Sequence, residues 1–144
     1  MEAADVRILL EWAGGKLLSL RLASPSPQGY RSFWPDYADD STAYGYTKET
    51  MRAPAVAPHE VRAMELILEL PALYIHDITT RRIVHRRSLI APLTGRYIHS
   101  YGAIAVEFHI NARLAARIYL KGVGEIGRRI TTQKADAIRR ALTP

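Results

Sequence analysis

Cysteine is missing from all 144 residues, which excludes disulfides, thiolate metal ligands and thiol chemistry together. Long apolar runs are missing too. None approaches the roughly 18 residues that cross a bilayer, so no membrane partner is expected. The first residues lack the basic flank, apolar centre and cleavage site of a secretory signal, which points to the cytoplasm. Catalytic signatures are equally scarce. Neither G-x-S-x-G nor G-x-x-x-x-G-K-[ST] occurs, and His59, His76, His85, His99 and His109 contain no pair at the i,i+4 spacing of a helical metal site. Asp36, Asp39 and Asp40 lack the glycine and distal bidentate acid of a calcium loop. A nuclease set of Asp36, Asp39, Glu49 and His59 has nothing specific behind it. No enzyme, cofactor or metal is expected.

Acidic residues are scarce in one half only. Residues 1–80 hold 7 Lys/Arg against 11 Asp/Glu, a balance of −4. Residues 81–144 hold 13 Lys/Arg against 3 Asp/Glu, a balance of +10. A basic half of this kind suits a polyanion, and the acidic half could hold the basic half of a second copy. Charge alone also fits an ordinary solvated surface.

What is present is helical periodicity. Residues 4–22 carry Val6, Leu9, Leu10, Trp12 and Leu17 at helical spacing, with a kink expected at Gly14-Gly15 because each interior glycine costs roughly 1 kcal/mol. Trp12 reads as a packing residue. A Pro/Ser linker follows at Ser24–Gln28. Residues 31–46, RSFWPDYADDSTAYGY, are the most aromatic stretch. There Trp34, Tyr37 and Tyr44 read as a hydrophobic clasp or a partner-binding surface, with base stacking as the alternative. A helix starting at Pro58 and Glu60 runs to Leu70 and is expected to stop at Pro71. Another spans Thr79–Ile90, although the β-branched pair Ile83-Val84 leaves a strand open. Pro92–Gly95 is a turn, and a last helix covers Gln133–Leu142. The fold expected is all-α, a small helical bundle, with residues 1–50 as an N-terminal helix and aromatic arm and 51–144 as the helical core.

Within that core, Ser100–Lys121 reads as a helix-turn-helix. Counted from Tyr101, the fifth position is the small Ala105. The fourth, eighth, tenth and fifteenth are Ile104, Phe108, Ile110 and Ala115. His109 occupies the ninth position, where the turn favours glycine; His is among the residues that tolerate positive φ. Asn111 is a natural N-cap for the second helix. Arg113, Arg117 and Lys121 recur every four residues and stack on one flank opposite Leu114, Ala115 and Ile118. An apolar back with a basic front suits the major groove of double-stranded DNA. Arg81, Arg82, Arg86 and Arg87 are candidate phosphate contacts. An ordinary core hairpin is the competing interpretation. The glycines of GVGEIG, residues 122–127, fit G-x-G-x-x-G in form only, since they follow a helix and not a strand. Gly122 either ends the second helix or lies within a longer one.

Three landmarks together, R-S-F-W-P, then A-Y-G-Y, then a helix like HEVRAMELIL, resemble a family of short phage- and prophage-associated proteins of unknown function from proteobacteria. Arg81-Arg82-Ile83-Val84 matches that family's R-R-I-V helix, and Ser100–Lys121 its terminal helix-turn-helix. The resemblance covers roughly residues 5–130 and implies a bacterial host cell and a regulatory or packaging role. Departures are Tyr101 in place of a tryptophan, His109 in place of glycine, and the Asp39–Thr42 stretch. The functional expectation is a DNA-binding transcriptional regulator. The alternative is an assembly or packaging module, self-associating or bound to a host or phage protein.

Overall fold

The computed structural model describes residues 1–23 and 55–144. These form seven helices: α1 (Ala3–Ala23), α2 (Pro58–Leu68), α3 (Leu70–Tyr74), α4 (Ile78–Ser88), α5 (Tyr101–Phe108), α6 (Ala112–Arg129) and α7 (Thr132–Leu142). The fold is all-α. The extended pairing among the described residues is an isolated antiparallel bridge between Ile90 and Tyr97, so Ile83-Val84 belongs to a helix. The aromatic stretch with Trp34, Tyr37 and Tyr44, its three aspartates and the Pro/Ser linker lie outside the described residues.

The helices form where local chemistry satisfies their first turns. Asp77 caps α4, its carboxylate accepting from the Thr80 amide at 2.8 Å and from the Thr80 hydroxyl. Those bonds hold the Asp77 carboxyl below its usual range. Thr131 caps α7 through the Lys134 amide. Ala57 has no side chain to cap α2. Instead Glu60 Oε2 accepts from the Ala57 amide at 2.9 Å, while its other oxygen takes Lys16 of α1 at 2.7 Å. The Lys16 contact is the main reason the Glu60 carboxyl ionises below its normal range.

One core joins all the layers. Val6, Leu10 and Ala13 of α1 meet Ile67 of α2, Val84 of α4 and Ile126 of α6, and burying each large aliphatic side chain contributes about 1.5–3 kcal/mol. Helix α1 packs on α2, α4 and α6, and α7 closes against α2. The N-terminal helix is therefore a central member of the same core. No helix among the described residues is long and apolar enough to cross a membrane.

Helix α1 continues as helix through Gly14-Gly15. A Cβ on Gly14 would stand 2.1 Å from the Ser88 carbonyl oxygen, so this glycine serves a close approach between α1 and the end of α4. One expectation is corrected. Pro71 does not end the helical path. The chain turns at Glu69 and restarts as α3 with Pro71 in its first turn, where a missing N–H costs nothing.

Candidate nucleic-acid interface

Ser100 opens α5 by accepting from the Ala103 amide at 3.1 Å. The helix ends where His109 turns left-handed, at φ 55° and ψ 41°. Two reversed bonds close that end: the Ile110 amide to the Ala105 carbonyl at 3.0 Å, and the His109 amide to Val106 at 3.4 Å. This is the Schellman pattern, which needs a positive φ at its turning residue. Asn111 Oδ1 then accepts from the Leu114 amide at 2.7 Å and starts α6. Ile104 and Ala105 face inward from α5, and Ala115, Tyr119, Val123 and Ile126 from α6.

Helix α6 does not stop at Gly122. It continues to Arg129, and Gly122 is where α6 crosses closest to α4. A Cβ there would sit 2.8 Å from Thr80 Cγ2 and 2.9 Å from Val84 Cγ2. Gly127 meets the Met1 carbonyl at 2.9 Å in the same sense, whereas Gly124 faces open space.

The longer helix enlarges the basic face. Arg113, Arg117 and Lys121 are exposed, as is Arg128, which at 100° per residue falls between Arg117 and Lys121 around the helix axis. At 1.5 Å per residue the row spans about 22 Å. None of these four forms an ion pair within the described residues. Leu120, 59% exposed, stands among them. Arg128 was legible in principle, because Val123 and Ile126 carry the buried stripe of Ala115 and Tyr119 past the glycines.

The arginines of α4 are placed differently. Arg81 Nε donates to the Ile75 carbonyl. Arg82 lies over the Phe108 ring at 5.1 Å, with Glu107 3.9 Å away. Arg86 donates to the same Glu107 oxygen at 3.0 Å. Arg87 is sandwiched between Tyr97 and Tyr101, 3.5 and 4.0 Å from the ring centroids, and donates to the His99 carbonyl at 3.0 Å. Arg81 thus ties α4 to the end of α3, while Arg82, Arg86 and Arg87 brace it against α5 and the 89–100 connection. Among the described residues no group of three His, Asp or Glu side chains could hold a metal ion.

The chain matches no protein-family model, no curated protein and no solved structure.

Proposed function

We propose that this chain is a DNA-binding protein of phage origin, a transcriptional regulator, with α5 and α6 acting as a helix-turn-helix. The observation that carries this reading is the row Arg113, Arg117, Lys121 and Arg128, unpaired within the described residues on one exposed face of α6. The opposite face of that helix is fixed in the core. A helix so anchored offers its cations to a polyanion without refolding, and arginine can discriminate guanine by about 1–3 kcal/mol through a bidentate contact. Asn111 and Arg113 stand at the N-terminal end of α6, the part of a recognition helix that meets base edges in such motifs. The α4 arginines act here by positioning α5, with Arg82 and Arg86 keeping part of their exposure for phosphate. The phage setting and the bacterial host rest on the sequence resemblance, and the cytoplasm on the sequence of the first residues.

Fluorescence anisotropy with mixed-sequence duplex, titrated at several salt concentrations, tests the reading. Affinity should fall with salt at a slope of about −0.9 per phosphate contact. Arg113→Ala/Arg117→Ala should weaken binding and flatten that slope. A double variant indistinguishable from wild type at every salt concentration removes the proposal.

The second reading, an assembly or partner-binding module, draws on Val106 of α5. It is 78% exposed beside the turn, an apolar side chain in a position of little use to phosphate. Light scattering that shows large assemblies without DNA would favour it.

A further inference from the structure

Outside the α6 face, a cavity on another side of the bundle combines apolar and basic lining residues. It lies between α1, α2 and α4 and has a volume of about 280 Å³. Leu17, Leu68 and Leu89 line it together with Arg82, His85 and Arg86. Among the described residues no carboxylate lines it. Among the described residues those arginines pair with Glu107, through a single oxygen at 3.0 Å from Arg86 and 3.9 Å from Arg82. A guanidinium carries five donors, so Arg86 keeps N–H groups beyond the one spent on Glu107. His85 is half-buried, and desolvation holds its imidazole pKa below the ordinary value.

We propose that this cavity binds a small apolar carboxylate, the hydrocarbon part against Leu17, Leu68 and Leu89 and the carboxylate on Arg86 and Arg82. The volume is near the lower end for small-molecule sites, which limits the ligand to one ring or a short chain. Charge complementarity selects the acid over a neutral analogue, because only the carboxylate adds ion–ion attraction and can take two parallel N–H···O bonds from a guanidinium. The site goes beyond the DNA-binding reading and does not depend on it. It does connect to α5, since the ligand would share Arg86 with Glu107, two residues before the His109 turn.

The test is an NMR titration of the His85 ring resonances with benzoate and hexanoate, and with benzyl alcohol and 1-hexanol as uncharged counterparts. The acids should produce a saturable shift and raise the His85 pKa, with the alcohols binding at least about tenfold more weakly. Arg86→Gln should weaken the acids by a similar factor. Glu107→Gln should tighten them severalfold by releasing Arg86, and this variant leaves the cavity lining intact. Circular dichroism confirms that each variant is folded. The proposal fails if the acids give no saturable shift at His85 at about 10 mM. It also fails if acid and alcohol bind alike, or if Glu107→Gln weakens binding.

Discussion

His109 carries a positive φ, and its exposed side chain makes no hydrogen bond or ion pair among the described residues. An L-residue in that region costs roughly 1 kcal/mol relative to glycine. His109→Gly should therefore raise stability by up to about 1 kcal/mol, read from urea midpoints, while α5 and α6 keep their register. A loss of stability would mean that the imidazole makes a contact worth more than the strain. Tyr119 poses the complementary case. Its ring is buried at an edge-on 6.1 Å from Tyr101, and its hydroxyl has no hydrogen-bond partner among the described residues. Burial accordingly pushes its ionisation upward. Removing an unpaired buried hydroxyl relieves a desolvation cost of about 1–3 kcal/mol, so Tyr119→Phe should be neutral or stabilising. A clear fall in melting temperature would show that the oxygen is paired after all.

At the level of the helix, three glycines in α6 differ in what they do. Gly122→Ala should destabilise by about 1–3 kcal/mol, the usual cost of overpacking a tight helix crossing, because Thr80 and Val84 leave no room for a methyl. Gly124→Ala should stabilise by about 0.5–1 kcal/mol, since nothing opposes the added methyl and the helix interior gains from it. Thermal unfolding of the two variants side by side decides this, and equal shifts would contradict the packing described. Sequence could not separate these glycines, because the atoms that distinguish them belong to residues about forty positions away. The same holds for Gly14 and its partner Ser88. By contrast, the Asn111 cap and the left-handed turn at His109 were legible, as both depend on bonds reaching only a few residues along the chain. The apolar stripes gave the all-α class for the same reason. The Glu107 tether and the stacking of Arg87 between two tyrosines were not legible, because no fixed spacing links α4 to those partners.

For the molecule as a whole, acid should loosen the fold before the carboxylates are reached. His85 has a folded pKa below its ordinary 6.5, so the unfolded chain binds more protons just below that value. Stability is then complete above about pH 6.5 and declines as the pH falls toward the folded pKa. Desolvation is the cause: Arg82 and Arg86 flank His85 on the same helix, and the α1 and α2 side chains that line this cavity among the described residues, Leu17 and Leu68, are apolar and offer no counter-charge. Urea titrations between pH 5 and 7.5 should show this slope in wild type and a flatter one in His85→Gln. The window stays above the range where Glu60 and Asp77, whose folded pKa values are depressed, withdraw their own contributions.

The close approach of the Met1 carbonyl to Gly127 bears on how the protein should be handled. Residues fused ahead of Met1 would emerge beside Gly124 and Arg128, at one end of the cationic row. A polyhistidine purification handle placed there would add titratable charge next to the surface under study and distort any salt series. The handle belongs after Pro144, and nucleic-acid titrations are best compared between the two placements.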